Sequence, residues 1–188
     1  MNKAVFLDRD GTINVEKNYL YRIEDFEFLP GVIEGLRRLQ EAGYLLFILT
    51  NQSGIARGYY QESEFLRLNE WMLSTLHGQG VDITRVYYCP HLPDAVVPQY
   101  RKRCRCRKPS LGMFRKAVRE YDLDLSQSFA IGDKLRDLSI CNHSSCRGFL
   151  VGNTESPEII ADAQKGKLPG VRYAEYFTDA VDKLLFCG

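Results

Sequence analysis

Short apolar runs, Ala4 to Leu7, Tyr44 to Thr50, Ile83 to Cys89, Ser128 to Gly132 and Gly148 to Val151, alternate with stretches of helical periodicity, and this alternation constrains the chain more than any other feature. Between the first two runs, Pro30-Gly31-Val32-Ile33-Glu34-Gly35-Leu36-Arg37-Arg38-Leu39 spaces its apolar residues as a helix does, with proline near the start and Gly43 near the stop. Gln61 to Gly78 places Phe65, Leu68, Met72 and Leu76 on one face, and Leu111 to Tyr121 does the same with Phe114, Ala117, Val118 and Tyr121. Strands that alternate with helices join through right-handed crossovers into a parallel sheet covered on both faces, and ligands gather beyond the carboxyl ends of its strands. The expectation is an α/β, three-layer, Rossmann-like fold with Asp8, Thr50 and Asp133 on the ligand-binding edge.

A chain of 188 residues fits one domain, expected over 1–188. Lys and Arg total 25 against 24 for Asp and Glu, so no global field attracts nucleic acid or membrane. A carboxylate at Asp8 interrupts any signal-peptide apolar region, and no later segment supplies about 18 continuous apolar residues. These features predict a soluble, cytoplasmic monomer without a nucleic-acid or membrane partner. The tail from Asn153 to Gly188 patterns as helix, short strand and helix, with no identifiable chemistry.

Asp8-Arg9-Asp10-Gly11-Thr12 follows directly on the first strand and places two carboxylates two residues apart at a glycine turn. One can attack phosphorus while the other protonates the leaving oxygen and later activates water. A carboxylate and a phosphate repel, so a metal is required, and Mg²⁺ suits an all-oxygen site. Gly132-Asp133-Lys134-Leu135-Arg136-Asp137 offers the remaining acids. Thr50-Asn51-Gln52-Ser53-Gly54 supplies a hydroxyl, an amide and turning backbone donors for phosphate oxygens, and Lys108 adds positive charge. A calcium loop is the competing reading of Asp-x-Asp-Gly, but Ile13 and Asn14 do not continue one.

Cys89-Pro90-His91 and Cys104-Arg105-Cys106 provide three thiolates and an imidazole, a donor set that suits a closed, structural zinc site pinning the loop over 89–106. Cys141-Asn142-His143-Ser144-Ser145-Cys146 looks similar but spans the expected end of the helix after Asp137, where buried thiols and a helix-end histidine are the simpler reading. Arg101, Lys102, Arg103, Arg105, Arg107 and Lys108 make the zinc loop basic; Arg107 and Lys108 adjoin the phosphate site, so a second phosphate or other anion fits there.

In this order the motifs resemble those of the haloacid dehalogenase-like phosphatases, over roughly the first 150 residues. The resemblance implies Asp8 as nucleophile, Asp10 as general acid and base, phosphate binding by Thr50 and Lys108, and Mg²⁺ held by Asp8, the backbone carbonyl of Asp10, and Asp133. Asp137 is expected to support Lys134 or the metal's waters. Phe6 to Asn14, Thr50 to Gly58, Tyr88 to His91, Cys106 to Pro109 and Gly132 to Lys134 together resemble the D-glycero-D-manno-heptose 1,7-bisphosphate 7-phosphatase family, which lacks a large cap domain and uses a zinc loop. That resemblance implies removal of the C7 phosphate of a small phosphorylated sugar in the synthesis of activated heptose. It also implies substrate contacts at Arg9, Glu16, Lys17, Asn18, Tyr19, Thr50, Asn51, Gln52, Ser53, Arg107, Lys108 and Lys134. Histidinol-phosphate phosphatase, with a similar zinc loop, is the nearest rival; a nucleic-acid 3′-phosphatase, suggested by the basic run, is a more distant one.

Overall fold

The computed structural model describes residues 1–186; Cys187 and the last residues of the expected 1–188 domain lie outside it. Its centre is β1 (Ala4–Leu7), four residues buried on both sides, which pairs in parallel with β2 (Leu45–Asn51) on one edge and β4 (Phe129–Gly132) on the other. β3 (Arg85–Cys89), β5 (Arg147–Val151) and β6 (Val171–Ala174) extend an all-parallel sheet in the order β3-β2-β1-β4-β5-β6. The chain winds outward from β1 to β3 and returns to β4, so the order reverses beside β1, where a crevice opens beyond the strand ends.

Alternation along the strands divides the core into two layers. Val5 and Leu7 of β1 face a cluster built with α1 (Val32–Glu41), α3 (Glu62–Gly78) and α6 (Phe177–Phe186) through Leu36, Met72 and Val181. Ala4 and Phe6 face the opposite cluster, built with α4 (Gly112–Tyr121) and α5 (Pro157–Gln164) through Phe114, Ala117 and Ala163. A capping box starts α3, in which the Glu64 carboxylate accepts from the Gln61 backbone N–H at 2.7 Å. The short helix α2 (Ser53–Arg57) follows β2 and ends at Gly58, whose φ of 73° lies in the left-handed region.

The tail forms helix, strand and helix as expected, but the segment around Asp137 differs from the ordinary helix expected after that residue. Leu135–Asn142 is a 3-10 helix. Leu135, Leu138 and Cys141 recur every third residue and pack into the second cluster, a spacing that matches the three-residue turn of this helix type. Among the described residues nothing folds into a separate cap, since the connection from Asp8 to Gly31 contains one 3-10 turn at Ile23–Asp25. No helix of the described residues is long and apolar enough to cross a membrane.

Candidate active site

Asp8 and Asp133 leave the ends of neighbouring strands, and the Asp8 backbone N–H donates to the Ile131 carbonyl at 3.0 Å, fixing the two chain ends to each other. Carboxylate oxygens of Asp8, Asp133 and Asp137 lie within 4.8 Å of one another, all buried. Lys108 enters this cluster from the zinc loop. Its Nζ is 2.6 Å from Asp8 Oδ1 and 2.7 Å from Asp137 Oδ1, and it also donates to the Leu49 carbonyl. Asn51 grips the Lys108 backbone from both sides, donating to its carbonyl and accepting its N–H at 3.0 Å each. Asn51, expected at the phosphate, therefore also positions the lysine.

Burial first, then the Asp137 carboxylate, pushes the Asp8 carboxyl up to about 8, against the opposing pull of Lys108. Asp133 is raised to about 6, by burial and Asp137, while the Thr154 hydroxyl works against that rise from 2.9 Å. Burial opposes the charge on Lys108, but Asp137 and Asp8 outweigh it and raise its pKa.

Asp10 is oriented by a separate set of donors. Arg9 Nη2 donates to both its oxygens at 2.8 Å, Asn14 Nδ2 donates at 3.1 Å and Gln52 Nε2 at 3.0 Å. The same Gln52 amide reaches Thr50 Oγ1 at 2.8 Å, and Tyr60 donates its hydroxyl to Gln52 Oε1 at 2.6 Å, which fixes the amide's orientation. Arg9, expected at the substrate, is placed here as a support of Asp10. It is 0% exposed, stacked 5.5 Å over the Phe65 ring, and directed at Asp10.

A cavity of about 310 Å³ opens beside Asp10 and is lined by Glu16, Asn18, Tyr19, Asn51, Gln52, Ser53 and Arg107 from the expected set. Lys17 and Lys134 are not part of that lining: Lys17 pairs with Glu27 at 3.3 Å, and the Lys134 backbone N–H donates to Asp137 Oδ2 at 3.1 Å. Asp137 thus supports both Lys134 and Lys108. Arg57, Tyr60 and Arg136 also line the cavity, and Arg136 belongs to the same loop as Asp133. The tail, read as carrying no chemistry, contributes Thr154.

At the end of β3, Cys89, His91, Cys104 and Cys106 bring three sulfurs and His91 Nδ1 within 4.8 Å of one another. The S···S separations of 3.1 to 3.4 Å exceed a disulfide bond and suit convergence on one ion. Burial and Lys102 lower the His91 pKa, keeping its imidazole neutral and able to act as a ligand. Gly112, at the start of α4, closes the loop from below: its N–H donates to the Arg105 carbonyl at 2.8 Å, and a Cβ there would meet that oxygen at 2.1 Å. Cys141 and Cys146 are free, buried thiols, and neither belongs to the metal-ligating clusters of the described residues.

A family model described as polynucleotide kinase 3 phosphatase matches residues 3–144. The chain is 55% identical over 135 residues to the D-glycero-beta-D-manno-heptose-1,7-bisphosphate 7-phosphatase of Photorhabdus laumondii, covering 72% of each. It is 48% identical over 136 residues to that organism's D-glycero-alpha-D-manno-heptose-1,7-bisphosphate 7-phosphatase, covering 72% of this chain and 74% of the relative. The chain belongs to the heptose-bisphosphate phosphatase family of haloacid dehalogenase-like enzymes. A family member of known structure, D,D-heptose 1.7-bisphosphate phosphatase from B. bronchiseptica complexed with magnesium and phosphate, superposes with a TM-score of 0.83 at 32% identity, covering 99% of both chains.

The residues present here fit Mg²⁺, the ion named for that structure. The donor set is all oxygen, and Gly11 leaves the space open, since a Cβ would sit 2.5 Å from Asp133 Oδ2. The Cys₃His set fits a closed zinc site.

Two outcomes follow from the charges. In the metal-free protein the folded state keeps a proton on Asp8 that the unfolded chain releases above about pH 4, so this group's stabilisation is lost as pH rises toward 8. Mg²⁺ competes with that proton, and thermal unfolding should give a larger Mg²⁺-induced rise in Tm at pH 8 than at pH 6; an equal rise would contradict the shift. For the zinc cluster, Cys106→Ser should remove the bound zinc measured by elemental analysis, about one ion per chain, and lower Tm. Unchanged zinc content would exclude the site.

Proposed function

We propose that this chain is a Mg²⁺-dependent phosphatase that removes the C7 phosphate of D-glycero-D-manno-heptose 1,7-bisphosphate through an aspartyl-phosphate on Asp8. The observation that carries the reading is the convergence of Asp8, Lys108 and Asp133 at the end of β1, in a chain about half identical to enzymes named for this substrate.

Asp8, Asp133 and the Asp10 carbonyl would hold Mg²⁺, which when bound offsets the repulsion between carboxylate and phosphoryl oxygens. Asp8 attacks phosphorus, and an Asp8 Oδ–P bond forms as the bond to the C7 oxygen breaks. Asp10 gives its proton to that oxygen. Asp10 then takes a proton from water, whose oxygen bonds to phosphorus as the Asp8 Oδ–P bond breaks, and free phosphate leaves. Lys108 and Thr50 hold the phosphoryl oxygens, and Arg9, Asn14 and Gln52 keep Asp10 in position while its proton comes and goes. Glu16, Asn18, Tyr19, Asn51, Ser53 and Arg107 form the wall against which the sugar lies.

The remaining parts of the proposal are a single domain over 1–188, a monomer in the cytoplasm, and a place in the synthesis of nucleotide-activated heptose without a nucleic-acid partner. The family model's polynucleotide name and the exposed Arg101, Lys102, Arg103 and Arg105 motivate one competing substrate, a 3′-phosphorylated oligonucleotide. Phosphate release should be measured with Mg²⁺ on both anomers of heptose 1,7-bisphosphate, on histidinol phosphate and on such an oligonucleotide. A heptose anomer should be preferred over the others in kcat/KM by at least about 100-fold, and Asp8→Asn should lower kcat by about 1000-fold or more while leaving the fold intact. Preference for another substrate would overturn the substrate reading, and an active Asp8→Asn would overturn the nucleophile.

A further inference from the structure

Arg57, Arg107 and Arg136 reach the cavity of about 310 Å³ from three separate elements: the last residue of α2, the end of the zinc loop and the 3-10 helix after β4. Among the described residues no ion pair holds Arg57 or Arg107. Arg136 has only Asp137, 3.8 Å from its Nε, and that carboxylate already lies 2.7 Å from Lys108 Nζ. Arg107 Nη1 is buried with no hydrogen-bond partner. Three guanidiniums around one opening repel one another unless an anion lies between them, and the guanidinium fork matches phosphate oxygens in geometry. Asp10 borders this lining while Asp8 and Lys108 do not, which puts the arginines on the side of the site that faces the leaving group.

We propose that Arg57 and Arg136 join Arg107 in a subsite for the second, unreacting phosphate of a doubly phosphorylated substrate, and so set the preference for a bisphosphate over a monophosphate. The inference rests on the heptose-bisphosphate reading above and extends it to two residues outside the motifs' expected contacts. Arg136 reaches the cavity from the loop that begins with Asp133, so one short segment serves both the metal and the second phosphate.

The test is the ratio of kcat/KM for heptose 1,7-bisphosphate to that for p-nitrophenyl phosphate, in the wild type, Arg57→Gln, Arg136→Gln and Arg136→Lys. Each glutamine variant should lower the ratio about tenfold, mainly through KM for the bisphosphate, and Arg136→Lys should recover part of it by keeping the charge without the fork. In the wild type, added salt should raise KM for the bisphosphate more steeply than KM for the monophosphate, a measurement that does not depend on any variant folding. Ratios within about twofold of wild type in both glutamine variants, or parallel salt responses, overturn the arginine subsite while the bisphosphate reading stands. A wild type without preference for the bisphosphate overturns both.

Discussion

The site is organised by one buried ammonium group. Lys108, 3% exposed, stands between Asp8 and Asp137, and Asp133 completes a cluster of three carboxylates around it. Buried charges are tolerated only when paired, and one lysine cannot balance three acids. Two negative charges remain, which a divalent cation neutralises in full. Without it, a proton goes to Asp8, and its raised pKa expresses that imbalance. The need for a metal is thus a property of the fold's charge arrangement as well as of phosphate chemistry.

Much of the surrounding structure keeps that lysine and its neighbours in place. The zinc cluster ends at Cys106, two residues before Lys108, and Asn51 clamps the Lys108 backbone to the end of β2. A structural metal on one side and a strand end on the other leave the side chain little freedom to withdraw. Asp10 is held independently through Arg9, Asn14 and Gln52, with Tyr60 behind them. Asp8 and Asp10 therefore sit on one turn but answer to different side-chain supports, and they remain linked by charge, since the Asp10 carboxylate is one of the groups that raise the Asp8 pKa.

The sheet was legible because buried parallel strands read as continuous apolar runs, and the strand ends fell within about two residues of the expected limits. Asp8, Lys108, Asp133 and the zinc donors were legible because short spacings at strand ends carry chemistry directly. The 3-10 helix over Leu135–Asn142 was not, since Leu135, Leu138 and Cys141 satisfy both helical periods over so short a stretch. The contacts of Arg9 with Asp10 were not legible, because a motif gives a residue's place along the chain but not which way its side chain points. Thr154 and Tyr60 act through space: Thr154 lies 21 residues from the Asp133 it contacts, in a segment whose local pattern is an ordinary loop. The arginines at 57 and 136 are unremarkable singly, and only folding brings them to one opening.

The central claim is that Lys108 and Asp137 are energetically coupled inside the carboxylate cluster, and urea unfolding of Lys108→Met, Asp137→Asn and the double variant without Mg²⁺ tests it most directly. Lys108→Met should cost about 3–5 kcal/mol by leaving the carboxylates unpaired, and Asp137→Asn in that background should recover stability, making the pair non-additive by more than about 1 kcal/mol. Simple additivity of the two substitutions would contradict the account.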